Sequence, residues 1–153
     1  MPSPNVPTQL TCPWMLRRLF AERQILLRLS SGEIRSAPDL KKPLGTLMRR
    51  VWPPRTMTRM VSFYDNSTNT KVCTTHQFEY EHGHILASGF PDPKFFYEDT
   101  VTLVADPEHF DGDSCSTQCS LDRAATEAAR NGPLAQYRQR CEPCQVWLAQ
   151  HRR

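Results

Sequence analysis

CSTQCSLDRAATEAARNGPLAQYRQRCEPC, residues 115–144, decides the predicted fold, because it contains four of the six cysteines of this 153-residue chain. The four cysteines form two close pairs, Cys115 with Cys119 and Cys141 with Cys144, and 21 residues separate the pairs. Cysteines spaced in this way are typical of disulfides or of a metal site. We therefore predict that they form one site that organises the C-terminal part of the chain.

The residues around these cysteines predict a helical hairpin over residues 111–153. Small polar residues before the first helix favour a loop, and Leu121 and the alanines that follow it recur at helical spacing. Asn131-Gly132-Pro133 predicts the end of that helix. A second helix is predicted from Leu134, with a kink or restart at Pro143, because proline is tolerated in the first turn of a helix and not in its middle.

Three interpretations of the four cysteines stay open. The first is a zinc site in which Cys115, Cys119, Cys141 and Cys144 supply four thiolates around a tetrahedral ion. The second is two disulfides across the hairpin. Bonds from Cys115 to Cys144 and from Cys119 to Cys141 are implied by a resemblance to the mitochondrial coiled-coil-helix family, whose twin spacing this chain does not reproduce. The third is unlinked thiols that pack as small apolar groups.

Cys141-Glu142-Pro143-Cys144 also resembles the active-site motif of the thioredoxin family, in which C-x-P-C lies at a helix start. The resemblance covers these four residues and implies thiol oxidoreductase activity. In thioredoxins most of the fold follows the motif, whereas nine residues follow Cys144 in this chain. Thiol oxidation and reduction is therefore kept as the third hypothesis for function.

Basic residues are concentrated in the N-terminal part of the chain. Residues 1–60 contain 11 basic and 3 acidic side chains, a charge of +8, and residues 61–153 contain 8 basic and 13 acidic ones, a charge of −5. Four prolines and one glycine, Pro38, Pro43, Gly45, Pro53 and Pro54, interrupt any periodicity over residues 33–58. This division predicts that residues 1–59 form a basic helix and an extended, proline-rich arm.

Residues 14–31 predict a basic amphipathic helix with Glu22 as its single acid. An arginine-rich, acid-poor helix that ends in Ser30-Ser31-Gly32 resembles a mitochondrial targeting presequence, so we predict a mitochondrial protein. If the segment is retained, residues 14–59 make a basic arm, and such arms bind RNA by neutralising phosphates. RNA is therefore a candidate partner of this arm.

Residues 60–110 predict a small antiparallel β-meander. Residues 60–64 and 70–80 have the composition of strands and flank a turn-forming run, and further strands are predicted at 84–90 and 95–104. A second group of zinc-binding residue types lies here, Cys73, His76, His82 and His84. Its spacing is poor for a metal, because Cys73 and His76 face opposite sides of a regular strand.

The sequence matches no catalytic motif such as a glycine-rich phosphate loop, G-x-S-x-G or H-E-x-x-H, and no run of 18 apolar residues predicts a membrane-spanning helix. We therefore predict an α+β protein that is a non-catalytic structural or accessory subunit of a large mitochondrial assembly and binds other protein subunits. A respiratory-chain complex is preferred over the mitochondrial ribosome, because residues 61–153 are acidic. The alternative is a small zinc-stabilised nucleic-acid-binding or regulatory module.

Overall fold

A β-sheet lies at the centre of the fold in the computed structural model, which describes residues 6–46, 48–80, 84–85, 88–109, 116–139 and 141–151. Helices accompany the sheet, so the described chain is α+β, as predicted. The eight strands follow the order β1-β8-β7-β5-β4-β2, with β3 also beside β4 and β6 also beside β5. In chain order they are β1 (Thr8–Thr11), β2 (Ile34–Pro38), β3 (Lys42–Pro43), β4 (Met57–Asp65), β5 (Lys71–Tyr80), β6 (His84–Ile85), β7 (Asp92–Tyr97) and β8 (Thr102–Ala105).

The sheet is mixed, which corrects the prediction of a simple antiparallel meander. β1 runs parallel to β8, whereas the other paired strands of the described sheet are antiparallel. The single strand predicted over residues 95–104 is also two strands, β7 and β8, joined by a turn in which the Glu98 amide donates to the Val101 carbonyl at 3.0 Å. β1 and β8 are the first and the last of these strands in the sequence, so no pattern of neighbouring residues could indicate that they pair.

The hairpin of β4 and β5 was predicted and is observed. The two strands pair antiparallel from Met57 opposite Glu79 towards the turn. In that turn, Asp65 Oδ1 accepts hydrogen bonds from the Ser67 amide at 2.8 Å and from the Ser67 hydroxyl at 2.6 Å. Asn69 has a φ of 56°, a left-handed conformation that asparagine tolerates better than most residues. Local turn chemistry therefore explains this part of the fold.

Two helices, α1 (Pro13–Glu22) and α2 (Ile25–Ser31), occupy the region predicted as one basic helix. Proline at the first position of α1 suits a helix start. Gln24, with a φ of 54°, separates the two helices, and Gly32, with a φ of 85°, ends the second one. After this end the chain enters β2, so the predicted extended arm over 33–58 is not confirmed in the described residues.

The apolar faces of these two helices belong to the main core. Leu16, Phe20 and Ile25 are 0%, 5% and 0% exposed, and they form one cluster with side chains from the sheet. Phe20 packs edge to face against Phe63, with ring centroids 6.1 Å apart. The strand residues of this cluster are Ile34, Val61, Phe63, Cys73, Phe96, Leu103 and Ala105. The N-terminal helices and the central strands therefore share one core.

The two C-terminal helices are α3 (Thr117–Asn131) and α4 (Glu142–His151), and the predicted helical hairpin is not confirmed. α3 packs against α1, and the predicted apolar stripe is not its buried face, because Leu121 is 58% exposed. The buried side chains of α3 are Asp122 and Thr126. The Asp122 carboxylate faces α1, where it lies 2.9 Å from the guanidinium of Arg18. The predicted restart near Pro143 is observed as the first turn of α4.

Ion pairs join the basic N-terminal region to the acidic remainder of the chain. Arg18 with Asp122 and Arg23 with Glu98 connect α1 and the residue after it to later elements. The same charge complementarity recurs in the pairs Arg17–Asp92, Arg28–Asp65, Arg59–Glu79 and Lys41–Glu79. Six basic residues of the N-terminal region therefore pair with acidic residues of the remainder in the described part of the fold.

Candidate anion-binding pocket and cysteine sites

A cavity of about 290 Å³ opens between α1, the C-terminal end of α3 and strand β5. We call it the arginine pocket. Its wall combines two arginines, a histidine and a carboxylate with aromatic and aliphatic side chains. The lining residues are Trp14, Arg17, His76, Gln77, Phe78, Ile85, Ser88, Phe90, Asp92 and Arg130.

Asp92, the first residue of β7, is the one acidic residue of this lining and is already neutralised. Arg17 donates from Nε to Oδ1 at 2.9 Å and from Nη2 to Oδ2 at 3.4 Å, and Lys94 Nζ lies 2.9 Å from Oδ2. Burial alone would raise the pKa of Asp92, but the Arg17 hydrogen bonds and the charges of Arg17 and Lys94 outweigh it and lower the pKa. The carboxylate is therefore ionised at neutral pH and shared by two cations.

Arg130, in the last turn of α3, supplies a positive charge that lacks such a partner. Its guanidinium lies over the ring of Phe90, 5.1 Å from the ring centroid. Burial, followed by the charge of Arg17, lowers the pKa of Arg130 to about 10, so it stays charged at pH 7. Among the described residues it makes no hydrogen bond or ion pair with a protein acceptor, and the nearby Glu127 pairs with Arg123.

His76 lies opposite Asp92 in the β5–β7 register and adds no charge to the pocket. A hydrogen bond joins its Nε2 to the hydroxyl of Thr58. Burial, with a smaller contribution from Lys94, lowers the pKa of His76, so its imidazole is neutral at pH 7. Among the described residues, the lining thus contains the positive charges of Arg17 and Arg130 and the negative charge of Asp92, and Lys94 adds a positive charge beside Asp92.

Such a surplus of positive charge suits an oxyanion. Guanidinium groups bind carboxylates and phosphates through pairs of parallel hydrogen bonds. Aromatic rings hold the two arginines in place, since Arg17 lies over Trp14, 4.4 Å from the centroid, and Arg130 lies over Phe90. A guanidinium that is oriented before binding loses less conformational entropy when an anion arrives. The arrangement can therefore bind an anion without rearranging its cations.

Two of the four predicted site cysteines, Cys141 and Cys144, are bonded to each other. Their Cα atoms are 5.3 Å apart, and the two residues are 3% and 1% exposed. They pack with Leu44 and Trp52 in a second apolar cluster. A thioredoxin-like reaction requires a sulfur that an external thiolate can reach, and burial of both sulfurs does not favour it.

The other predicted pair is Cys115 and Cys119. Cys119 is disulfide-bonded and lies in the first turn of α3, where its amide donates to the capping hydroxyl of Ser116 at 3.1 Å. Cys115 lies outside the described residues. A single cluster of the four cysteines is not confirmed, and zinc at Cys115, Cys119, Cys141 and Cys144 stays a prediction from the sequence.

A group that could hold a metal ion is formed instead by Cys12, His109 and Cys119, whose ligand atoms all lie within 4.8 Å of one another. Cys12 Sγ is 3.5 Å from His109 Nε2. The sequence analysis missed Cys12 and His109, which are 97 residues apart. The one local signal was Pro13, which marks a helix start directly after Cys12.

The second group of candidate ligands does not assemble in the described part of the chain. Cys73 is fully buried in the main core, and burial raises the pKa of its thiol to about 12. His76 lines the arginine pocket. His82 lies outside the described residues, and the side chain of His84 is not described.

The residues that make the arginine pocket gave no sequence signal of a site. Arg17 looked like a charge of a presequence helix, and Asp92 looked like part of a chain break between Pro91 and Pro93. Arg130 lies in α3, where the sequence pattern indicated a cysteine site and an apolar alanine stripe but no role for an arginine. Only the packing of α1 and α3 beside β5 and β7 brings these side chains together.

No family model, curated protein or solved structure matches the chain significantly. None of the helices in the described ranges is long and apolar enough to cross a membrane.

Proposed function

We propose that the protein is a non-catalytic binding module that holds a small organic anion in the arginine pocket. The observation that carries this proposal is the position of Arg130. Its guanidinium is partly buried in the pocket, is charged at neutral pH and makes no hydrogen bond or ion pair with a described protein acceptor. Withdrawing a charge from water costs free energy unless a counter-charge is present, and a bound anion supplies that counter-charge.

The size and lining of the pocket restrict the ligand. A volume of about 290 Å³ lies just below the roughly 300–1,000 Å³ that is usual for ligand pockets, so the ligand must be small. Trp14, Phe78, Ile85 and Phe90 give part of the wall an apolar character, which suits an organic portion next to the charged group. A small carboxylate with a hydrophobic part fits both requirements.

The proposal is tested by titrating the full chain with benzoate and with benzamide, a neutral molecule of nearly the same shape, by isothermal titration calorimetry. We expect benzoate to bind more tightly than benzamide. Arg130→Gln should weaken benzoate binding roughly 10–100-fold, since a hydrogen bond to a charged group contributes about 1.5–3 kcal/mol. Inorganic phosphate and acetate titrated in parallel show which oxyanion is preferred.

Arg35→Gln is the matched control, because Arg35 is an exposed arginine of β2 that does not line the pocket. Its benzoate affinity should stay within a factor of about two of the unchanged protein, as expected for a charge that is screened by water and salt. Equal losses in the two variants, or no anion binding at all, would contradict the proposal.

A second candidate function is the one predicted from sequence, a non-catalytic accessory subunit of a large mitochondrial assembly. The observation that favours it is a run of exposed apolar side chains, Leu40, Met48 and Val51, which are 87%, 37% and 48% exposed. Exposed apolar side chains that form a contiguous patch are typical of protein interfaces, and these three lie within 12 residues of the sequence. The ion pairs of the N-terminal arginines make the RNA-binding alternative less favourable, because those charges are already neutralised.

Native gel separation of a mitochondrial extract, followed by mass spectrometry, tests this second function. We expect the unchanged protein in a high-mass fraction. The double variant Leu40→Ser/Val51→Ser should instead migrate at the mass of the single chain. Leu121→Ser is the control, because Leu121 is 58% exposed but lies on α3, away from this run in the sequence. Recovery of the unchanged protein only at its own mass would exclude a stable assembly.

A further inference from the structure

Cys12 and His109 lie close together because strands β1 and β8, which precede them, end at the same edge of the sheet. Thr11, the last residue of β1, pairs in parallel with Ala105, the last residue of β8. Parallel strands end at the same edge, so the residues that follow them, 12 and 106–109, start from the same place. The Asp106 amide donates to the Thr11 carbonyl at 2.9 Å, and a turn from Asp106 to His109 returns the imidazole towards Cys12.

Cys119 reaches this edge through the packing of α3 on α1. Arg18 of α1 and Asp122 of α3 form an ion pair of 2.9 Å, and Asp122 is only 2% exposed. This contact sets the position of the first turn of α3, which contains Cys119. The beginnings of α1 and α3 thus lie beside each other, with Cys12 as the N-cap of α1. Unpaired amide groups at helix starts favour negative charge, which suits thiolate ligands.

One of the three distances already matches a tetrahedral metal site. With a Zn–S bond of about 2.3 Å and a Zn–N bond of about 2.05 Å, a tetrahedral ion holds sulfur and nitrogen about 3.6 Å apart. Cys12 Sγ and His109 Nε2 are 3.5 Å apart. Two zinc-bound sulfurs are about 3.8 Å apart on the same geometry. All three ligand atoms already lie within 4.8 Å of one another, so Cys119 needs a shift of about 1 Å or less.

The disulfide of Cys119 controls whether the third ligand is available. A sulfur in a disulfide does not bind zinc as a thiolate. A dithiol reductant transfers two electrons and two protons to the disulfide, whose S–S bond breaks to give two thiols, while the dithiol closes into its own disulfide. Zinc then displaces the thiol protons of Cys12 and Cys119.

We propose that Cys12, His109 and Cys119 form a zinc site that assembles when the disulfide of Cys119 is reduced. The three protein ligands leave a fourth coordination position to water, as in zinc sites that are not purely structural. Zinc binding and the oxidised state of Cys119 therefore exclude each other. This site is independent of the arginine pocket, and its failure leaves the proposed anion binding untouched.

The experiment compares two samples of the full chain, one oxidised and one reduced with dithiothreitol. The dithiothreitol is removed in the absence of air before the metal is added. Zinc is measured by native mass spectrometry and by competition with a chromophoric chelator, and cobalt(II) is substituted for zinc to record its absorption spectrum. We expect one zinc in the reduced protein, none in the oxidised protein, and a sulfur-to-cobalt charge-transfer band. Far-UV circular dichroism verifies that each sample is folded.

Two ligand variants and one matched control identify the residues. Cys12→Ser, which keeps a capping residue at the start of α1, and His109→Gln should each weaken zinc binding by more than the roughly 10–100-fold that loss of an outer-shell partner costs. His151→Gln, which changes an exposed histidine of α4, should leave the affinity unchanged. Zinc binding that survives in folded Cys12→Ser and His109→Gln, equal affinity in the oxidised protein, or no binding to the reduced protein would each overturn the proposal.

Discussion

Replacing Leu16 by alanine tests directly whether the N-terminal helices belong to the folded protein. Leu16 is 0% exposed in the main core, whereas Leu27, in the next helix, is 46% exposed. Deleting the buried part of a leucine side chain costs about 2–5 kcal/mol, because apolar contacts are lost and a cavity is left. Leu27→Ala should cost less than about 1 kcal/mol, since much of that side chain is already in water.

The two variants are compared by urea unfolding of the full chain, followed by far-UV circular dichroism. With a slope of roughly 2 kcal/mol per molar urea, Leu16→Ala should lower the midpoint by about 1–2.5 M. The midpoint of Leu27→Ala should move by less than about 0.5 M. Both changes replace leucine by alanine in a helix, so the difference between them reports burial and not helix propensity. Equal, small shifts would refute the assignment of α1 to the core.

The same reasoning bears on cleavage of a presequence after Ser30. A chain that starts at residue 31 lacks Leu16, Phe20 and Ile25, the three buried helix residues of the main core. At about 2–5 kcal/mol each, their loss removes roughly 6–15 kcal/mol, which equals the whole stability of a typical domain of about 5–15 kcal/mol. We expect this shortened chain to show no cooperative unfolding transition. The presequence and the mitochondrial location stay predictions from the sequence.

Three further predictions follow from single groups. Because the pKa of Asp92 is lower in the folded than in the unfolded protein, its stabilisation is present above the unfolded value near 3.9 and is lost as the pH falls through the folded pKa. Asp92→Asn should therefore lower the urea midpoint at pH 7 and change it little at acidic pH. The control Asp99→Asn, at an exposed position, should have little effect at either pH. A decrease of the Asp92→Asn midpoint that is the same at both pH values would contradict the charge argument. Burial raises the pKa of Cys73 to about 12, so iodoacetamide at pH 8 should alkylate Cys73 only after unfolding, and rapid labelling of the native protein would show that the core is open. Peptide mapping without reduction should find Cys141 linked to Cys144, and a bond from either residue to the other cysteine pair would restore the predicted disulfides across a hairpin.

The sequence by itself determined the features that depend on neighbouring residues. The β4–β5 hairpin follows from strand-forming residues around a turn in which Asp65 binds the amide of Ser67. The helix start at Pro143 and the helical character of residues 14–29 follow from proline geometry and apolar spacing. These predictions succeeded because their causes act within a few residues along the chain.

The tertiary structure decided how charge is used. In the sequence, the basic N-terminal region and the acidic remainder look like separate parts, because net charge is summed along the chain. In the fold, Arg17, Arg18 and Arg23 pair with acids that lie 75 or more residues later. Complementary charges that are far apart in sequence carry no sign of which partner each one will meet.

The candidate sites also depend on contacts between distant segments. Cys12 and His109 meet because β1 and β8 pair in parallel and end at one edge of the sheet. Arg130 faces the arginine pocket because α3 buries the polar Asp122 against α1 and not the apolar stripe that its sequence displays. The cysteine spacing predicted that the cysteines could bind a metal or form disulfides. Which of them meet was decided by strand register and helix packing, since these are set by the whole core and not by any single stretch of the chain.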